Sequence, residues 1–404
     1  MKSRILFIVL LIQLNVFGQH FLPIQHDTIK ANHQEFSLTG IADISGTSIG
    51  TDIASKFLFG GDITTEMKDK SLARHGKINR FGADINAEFE YRNYKVNLFK
   101  KENLGFIIKG GIYSFNQLLY SKDLFQFTMY GNQSFVGNIA NFSGSNFKSL
   151  TYHKIGFGIV DKTTKSSITL NLIGLNGLTS ANLNTVEIYQ NTDLDTVQLT
   201  YNGNLAINSN SSFVKGVGFG IDFDYRIKGD NFKGNPVYFQ IVGRNLGMVF
   251  STSKNDYYSS NSIVRFTGFS YNDIANGGSI IGDNLAILDS LGVKKETKNQ
   301  MQLLPGLLQI SKLIDLNSSK KIQEFYGARM YLSKVSIPQV YAGLNYKPIS
   351  FLNIGASVSY GGFSRFKGGA YLSFNQKKFN IGVASENLFS KTGVSYIIRL
   401  QCAF

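Results

Sequence analysis

The chain has 404 residues, of which 43% are hydrophobic, 13% are aromatic and only 17% are charged, and its formal net charge is +14. The basic residues are dispersed and form no helical stripe, so we expect no nucleic-acid partner. Cys402 is the only cysteine, which excludes an intrachain disulfide and a cysteine-based zinc site.

The N-terminus has the pattern of a secretory signal peptide. Lys2 and Arg4 precede an apolar run, Ile5–Ile12, that is too short to cross a bilayer as a helix. We expect residues 1–18 to be removed by cleavage before Gln19. No later run of about 18 apolar residues exists, which excludes a helical membrane protein. The mature chain is therefore either soluble in the periplasm or inserted in the outer membrane as strands.

Two segments alternate strictly between apolar and polar residues. In residues 80–92 and 217–228, every second side chain is apolar, as in a strand with one apolar face and one face exposed to water. We expect the polar faces to point into a wet lumen, where mixed charges form ion pairs. The predicted lumen residues in these two segments are Arg80, Asp84, Glu88, Glu90, Arg92, Asp222, Asp224 and Arg226.

The C-terminal third predicts a meander of hairpins. Segments 340–347, 352–360, 366–375, 379–387 and 394–404 alternate in turn and are joined by short connections. Two regions, 118–148 and 272–302, lack sustained alternation and predict long loops, the second with a helical turn at Asp283–Leu291. Tyr91, Tyr225, Tyr346 and Tyr360 lie near strand ends, where they would supply interfacial girdles.

The last strand ends on an aromatic residue. Tyr396, Ile398, Leu400 and Phe404 share one face, and we expect them to form the C-terminal signal for the barrel-insertion machinery. Cys402 lies on the same apolar face and predicts a small lipid-facing side chain, whereas Arg399 is predicted to face the lumen. The strand is needed to close a barrel against its first strand and leave no free edge.

Together these patterns predict an all-β fold, a transmembrane antiparallel up-and-down β-barrel of about 14 strands, with a range of about 12 to 16. The predicted organisation is a signal peptide at 1–18, a short periplasmic lead-in at 19–34 and an outer-membrane barrel at 35–404. A soluble periplasmic β-sandwich binding protein remains the alternative, because its strands also alternate. Outer-membrane lipid and lipopolysaccharide are the partners expected of the basic surface.

No catalytic motif accompanies this pattern. The sequence has no nucleophile elbow, phosphate-binding loop or metalloprotease helix, so we expect no enzyme and no cofactor. The five histidines, at positions 20, 26, 33, 75 and 153, have no ligand spacing, and we expect no metal site.

The chain resembles Bacteroidota outer-membrane barrels of unknown function that are related to PorV-type and FadL-like proteins. The resemblance is carried by Phe17-Gly18-Gln19, Gly243-Arg244-Asn245-Leu246-Gly247, Leu303-Leu304-Pro305, Ser359-Tyr360-Gly361-Gly362 and Glu386-Asn387-Leu388-Phe389. It implies one of two roles: a barrel that admits hydrophobic small molecules, or an accessory subunit of an outer-membrane secretion (type 9) or assembly complex that binds a protein partner.

The two roles predict different interiors. A channel for hydrophobic compounds needs an apolar pocket or a lateral opening, which Leu118, Leu119, Leu124, Phe125 and Phe127 could line, although an aromatic loop at the membrane interface is the alternative. An accessory subunit needs a closed lumen filled by polar side chains.

Overall fold

A computed structural model describes residues 25–26, 34–208, 212–230, 236–252, 255–267, 292–315, 318–376 and 378–404. The predicted signal peptide, most of the predicted lead-in and the predicted helical turn at Asp283–Leu291 lie outside these residues. The α-helices of the described part are α1 (Thr51–Phe59), α2 (Thr65–Leu72) and α3 (Lys122–Tyr130). Short 3-10 turns occupy Leu98–Lys100 and Gln133–Phe135.

The same part contains strands that we number in chain order. They are β1 (Gln25–His26), β2 (Gln34–Gly46), β3 (Ile78–Asn93), β4 (Leu104–Ser121), β5 (Ile139–Asn141), β6 (Ser145–Asp161), β7 (Ser167–Gln190), β8 (Val197–Ile207), β9 (Gly216–Asp230), β10 (Pro236–Ser251), β11 (Asn255–Phe266), β12 (Lys294–Lys298), β13 (Met301–Leu303), β14 (Leu307–Lys312), β15 (Ile314–Asp315), β16 (Ile322–Tyr331), β17 (Ile337–Ile349), β18 (Leu352–Gly362), β19 (Phe366–Gln376), β20 (Phe379–Ser385) and β21 (Val394–Ala403).

Fourteen of these strands form a closed antiparallel barrel, which confirms the predicted fold class. The order around the ring is β2, β3, β4, β6, β7, β9, β10, β14, β16, β17, β18, β19, β20 and β21. Because the ring closes, the alternative of a two-sheet sandwich is wrong. A closed ring leaves no unpaired sheet edge in the wall.

The first and last barrel strands make the closure. β2 pairs with β21 from Glu35 opposite Ala403 to Ile44 opposite Val394. Beyond that ladder, the Phe404 N–H donates to the Gln34 carbonyl at 2.9 Å, and the Gln34 N–H donates to the Phe404 carbonyl at 2.8 Å. The aromatic C-terminus predicted from the sequence therefore lies at the point where the ring is completed.

The two ends of the barrel differ in their connections. At the end that holds Gln34 and Phe404, which we call the terminal end, the connections include residues 94–103, 162–166 and 350–351. At the opposite end, the loop end, the connections include residues 47–77, 122–144 and 386–393. Short turns at one end and long loops at the other are typical of transmembrane barrels.

The predicted loop boundaries need correction. Within 118–148, β4 runs to Ser121 and β6 begins at Ser145, so the connection is 122–144 and it contains α3. Within 272–302, β12 and β13 occupy residues that we predicted as loop. Short strands joined to a larger sheet carry too few alternations to be recognised from sequence.

Part of the sheet continues beyond the ring at the loop end. Residues 179–190 of β7 pair with β8. β8 in turn pairs with β11, and β11 pairs with β12. Asparagine side chains cross this extension, because Asn146 donates to Asn182, and Asn182 donates to Asn204 at 3.0 Å. Such amide ladders tie neighbouring strands together through their side chains as well as their backbones.

The outer face of the wall is apolar and exposed. Successive residues of a barrel strand face the lumen and the outside alternately. On β7 the outward Leu170 and Leu172 are 67% and 71% exposed, and on β9 the outward Phe219 is 56% exposed. No helix of the described residues is long and apolar enough to cross a membrane.

Candidate functional site: a lumen filled by side chains

The inward faces of β3, β4, β6, β9 and β10 bring charged side chains together. The alternation that exposes Phe89 and Ile221 buries their neighbours Glu88, which is 4% exposed, and Asp222, which is 1% exposed. We call the resulting group the main ion-pair cluster. It comprises Glu88, Glu90, Arg92, Lys109, Lys154, Asp222, Asp224, Arg226 and Arg244.

One part of the main ion-pair cluster links β3 to β9. The Arg92 Nε lies 2.5 Å from Glu90 Oε1, and the Lys109 Nζ lies 2.9 Å from Glu90 Oε2. Arg92 also reaches Asp224 at 3.9 Å, and Arg226 lies 3.0 Å from the same carboxylate oxygen. β4, β6 and β7 lie between β3 and β9 in the ring, so the contact from Arg92 to Asp224 crosses the interior.

The other part centres on Lys154 of β6. Its Nζ donates to Asp222 Oδ2 at 2.6 Å and to Asn245 Oδ1 at 2.7 Å, and it lies 3.5 Å from Glu88 Oε2. Arg244 of β10 approaches Glu88 Oε1 to 3.6 Å. Because the Lys154 side chain is only 1% exposed, its charge is balanced by these neighbours rather than by water.

A bulge in β10 shapes this part of the lumen. The pairing of β10 with β9 shifts between Gly243 and Leu246. The bulge leaves Asn245 at φ 53°, where its N–H donates to Asp222 Oδ1 at 2.7 Å. A β-bulge re-aims side chains in this way. The sequence Gly243–Gly247, which carried part of the family resemblance, thus builds the wall of the main ion-pair cluster.

A second group of charges, the rim cluster, lies towards the loop end. It comprises Asp43, Arg329, Lys367 and Glu386. Lys367 lies 3.0 Å from Glu386 Oε2 and 3.7 Å from Asp43 Oδ2. Arg329 binds both Glu386 carboxylate oxygens, and its Nε donates to Gln339 at 3.1 Å.

An aromatic bridge crosses the lumen beside the rim cluster. Tyr331, at the end of β16, donates its hydroxyl to Asp84 of β3 at 2.7 Å. Six strands separate β3 from β16 in either direction around the ring, so this bond joins opposite walls. The ring of Phe115 lies 5.2 Å from that of Tyr331 and 5.8 Å from that of Phe363. Phe363 fits against β3 because Gly82 has no side chain: a Cβ there would lie 2.2 Å from the Phe363 ring.

The terminal end is closed by a smaller group. Tyr94 donates to Glu35 Oε2 at 3.1 Å, and Lys165 lies 3.8 Å from Glu35 Oε1 and 3.6 Å from the centre of the Tyr94 ring. Burial raises the pKa of Tyr94, which lies just after β3. Its hydroxyl therefore remains protonated and able to donate to the carboxylate.

The predicted lumen residues occupy three kinds of position. Asp84, Glu88, Glu90, Arg92, Asp222, Asp224 and Arg226 are all buried and belong to the contacts above. Arg80 is half-buried at the loop end, where its backbone N–H donates to Thr47 Oγ1 at 3.0 Å. Arg399 is half-buried on β21, opposite Thr39 of β2.

Several charged residues of the lumen were not predicted from sequence. They are Glu35, Asp43, Lys109, Lys154, Lys165, Arg244, Arg329, Lys367 and Glu386. Lys109 is the only charged residue of β4, and such a lone charge was an available signal, whereas Lys154 shares β6 with Lys148 and Asp161. A lone charge in a transmembrane strand needs a partner, and the partner could not be named without the ring order.

The residues of the predicted insertion signal lie on β21 and just beyond it. Tyr396 is 49% exposed and Phe404 is 52% exposed, while Ile398 and Leu400 are half-buried on the same face. Cys402 is half-buried in this row. Tyr225, Tyr346 and Tyr360 are exposed on the outer wall, and Tyr91 is half-buried.

Two histidines have described side chains. His75 lies outside the wall against Tyr120 and Phe125, and His153 stacks on Phe213 at 5.4 Å. Within the described ranges, no group of three or more His, Cys, Asp or Glu side chains is arranged to hold a metal ion.

Comparison with known families places this geometry in context. Residues 38–386 match the model of a family described as "Family of unknown function (DUF5723)". The protein belongs to this family. Membership confirms the expectation of a family of unknown function, and the match extends from the first barrel strand to the rim cluster. No curated protein matches the chain.

Solved structures share only the coarse architecture with this family member. A TodX deltaS2S3 mutant monoaromatic hydrocarbon channel is 10% identical, with a TM-score of 0.39 over 93% of this chain and 90% of that one. The toluene transporter TodX from P. putida is 10% identical, with a TM-score of 0.34 over 93% and 89%. The transport unit of the autotransporter AIDA-I from Escherichia coli is 8% identical, with a TM-score of 0.27 over 95% and 94%. Similarity at this level gives no argument about function.

Proposed function

We propose that this protein is an outer-membrane β-barrel whose lumen is closed by its own side chains and which acts through its surfaces, as an accessory subunit of a secretion or assembly complex. The observation that carries the proposal is the set of contacts across the lumen. The bond from Tyr331 to Asp84 joins opposite walls, and the contacts from Arg92 to Asp224 and from Arg244 to Glu88 cross the interior at other points.

These contacts favour a permanently closed barrel over a gated pore. Separating a buried ion pair leaves both charges without compensation, which costs several kcal/mol in the protein interior. In the main ion-pair cluster each carboxylate contacts at least one cationic group, and several contact two. Opening a path would require several such pairs to separate together.

The position of the predicted pocket residues also argues against a channel for hydrophobic molecules. Leu118, Leu124 and Phe125 pack with the helices on the outer wall, and Phe127 packs against Phe135 and Phe142. Only Leu119 of the five lies beside the aromatic bridge. An apolar path lined by this set would need them on the inner face of the wall.

The outer-membrane location rests on the apolar outer face, the long loops at one end and the closed ring. We propose that Tyr396, Ile398, Leu400 and Phe404 are recognised by the insertion machinery before the ring closes. The completed ladder between β2 and β21 uses the backbone of this strand, so recognition would precede the pairing with Gln34 and Glu35.

The role is tested by gentle detergent extraction of the tagged protein from its native outer membrane after chemical crosslinking. We expect a protein partner in fixed stoichiometry, crosslinked to the loop end or to the outer wall, and no bound small molecule. A matched sample in which crosslinker is added after solubilisation controls for chance contacts. A solitary barrel carrying a hydrophobic compound would contradict the accessory role and support transport instead.

A further inference from the structure

One sector of the outer wall is covered where the rest of the apolar face is exposed. At the loop end of β21, β2 and β3, the outward residues Val394, Ile44 and Ala83 are 5%, 3% and 6% exposed. Farther around the ring, on β7 and β9, outward residues such as Leu170 and Phe219 are more than half exposed. Another part of this chain therefore covers the outer wall in this sector, whereas the outer wall is uncovered on β7 and β9.

The covering element is α1, with α2 and α3 beside it. Ile53 and Ala54 of α1 are fully buried in one cluster with Ile44, Ala83 and Val394. Two aromatic side chains of α1 also contact the outer wall. The ring centre of Phe57 lies 5.9 Å from that of Phe81, edge-to-face, and the ring centre of Phe59 lies 6.1 Å from that of Tyr396. Phe81 and Tyr396 are outward residues of β3 and β21, so α1 lies on the outside of the barrel.

The chain ties the start of α1 to the barrel rim and ends it abruptly. The Thr51 N–H donates to the Lys391 carbonyl at 3.2 Å, and its hydroxyl donates to the Ser390 carbonyl at 3.2 Å. After Phe59, Gly60 and Gly61 have φ of 76° and 107°, a backbone conformation that favours glycine. The helix thus starts at the rim and ends beside Tyr396.

The exposed faces of α1 and α2 differ in chemistry. α1 exposes Phe57 and Phe59, at 48% and 73%. α2 exposes Glu66 and Lys70, which pair with each other, and Asp69, which accepts a hydrogen bond from Tyr130 of α3 at 2.6 Å. The connection between β2 and β3 therefore contains one helix with an aromatic exposed face and a second helix with a charged exposed face.

We propose that α1 is an interfacial membrane anchor, with Phe57 and Phe59 inserted among the lipids of the leaflet at the loop end. Lipid is the occupant because the exposed face of α1 is continuous, through Tyr396, with the apolar outer wall. A helix of nine residues is about 14 Å long, so it lies along the interface rather than spanning the bilayer. This inference rests on the proposed membrane location of the barrel.

The test exploits the absence of tryptophan from all 404 residues. Each variant Phe59→Trp, Phe57→Trp, Leu170→Trp and Leu194→Trp carries a single tryptophan, whose emission is followed. Each is refolded into vesicles of phosphatidylcholine with and without bromine on the acyl chains. Leu170 lies on the open outer wall and is the lipid-exposed control. Leu194, 60% exposed at the β7–β8 connection, is the water-exposed control.

We expect bromine to quench Phe59→Trp and Phe57→Trp strongly, in the same range as Leu170→Trp, with blue-shifted emission, and to leave Leu194→Trp unquenched. Quenching of Leu170→Trp without quenching of either α1 variant would overturn the anchor while leaving the barrel in the membrane. If α1 emission is blue-shifted but unquenched, a second copy covers α1, and the lipid assignment is again wrong. Failure of bromine to quench Leu170→Trp would instead contradict the proposed membrane location.

Discussion

Two buried regions of the lumen are held together differently. The half formed by β3 to β10 contains the main ion-pair cluster. The half formed by β16 to β21 carries most of the rim cluster at the loop end. Its terminal end contains neutral groups, which we call the neutral region: Tyr371 donates to Asn345 at 2.5 Å, and Asn345 donates to Asn353 at 3.2 Å. Phe325, Ile314 and Ile397 pack against Tyr371 there.

The difference shows that burial alone does not set the cost of changing a side chain. Truncating a residue of the charged half leaves a partner charge without compensation. Changing a residue of the neutral region loses a hydrogen bond or opens a small cavity. The charged half is therefore predicted to be the more sensitive to single substitutions and the more tolerant of paired ones.

The largest expected effect is in the charged half. Lys154→Met leaves Asp222 and Glu88 without their nearest cation and should lower the free energy of unfolding by about 3–5 kcal/mol. Urea unfolding in detergent, followed by circular dichroism, measures the change. The control is Lys312→Met, whose partner Glu324 is 64% exposed, and for which we expect a loss of about 1 kcal/mol or less.

The double variant Lys154→Met with Asp222→Leu tests whether the loss in Lys154→Met comes from the carboxylate left without a partner. Removing both charges should recover part of the stability lost in Lys154→Met, because the remaining pairs are closer to neutral. Additive losses in the double variant would show that the two groups are not coupled.

The next effect concerns the aromatic bridge. Gly82→Ala places a Cβ 2.2 Å from the nearest Phe363 ring atom and should lower the free energy of unfolding by roughly 1–3 kcal/mol, because Phe363 must move. Gly177→Ala is the matched control, since its nearest side-chain atom would be 3.7 Å away. Equal losses in the two variants would refute a tight fit at Gly82.

A smaller effect is expected in the neutral region. Tyr371→Phe removes the hydroxyl that binds Asn345 and should cost about 1 kcal/mol, measured by the same unfolding curves. Tyr360→Phe on the outer wall is the control, and its change should stay within about 0.5 kcal/mol. A loss from Tyr371→Phe as large as that from Lys154→Met would remove the contrast between the two regions.

The smallest effect comes from outside the lumen. Burial lowers the pKa of His75 below its usual value of 6.5, although the bond of its ring to the Ser71 carbonyl opposes the change. Above that value His75 is neutral in both folded and unfolded chains. As the pH falls below it, the unfolded chain gains a proton first, so the free energy of unfolding falls. His75→Gln should remove this part of the pH dependence of unfolding, and an unchanged pH profile would exclude His75 as its source.

Sequence patterns predicted the wall well and the lumen only in part. The alternation in residues 80–92 and 217–228 fixed which faces of β3 and β9 are polar, because a one-residue period error would have put charges on the apolar face. The ring order could not be predicted, and so the pairing of Lys154 with Asp222, 68 residues later, could not either.

The elements outside the wall were missed for a different reason. α1 has nine residues, too few for a helical period to stand out between two strands. Its burial depends on an apolar surface on the outside of β21, β2 and β3. This surface is formed by residues that are far apart in sequence, such as Ile44 and Val394. The surface exists only when the ring closes and β21 pairs with β2.

The most direct test of the closed lumen is the conductance of the purified protein in a planar lipid bilayer, with insertion checked by quenching of Leu170→Trp in brominated vesicles. The contacts across the lumen predict no ion current above that of the bare bilayer at moderate voltage. Stable, repeated current steps from the inserted wild-type barrel would contradict a lumen closed by its own side chains.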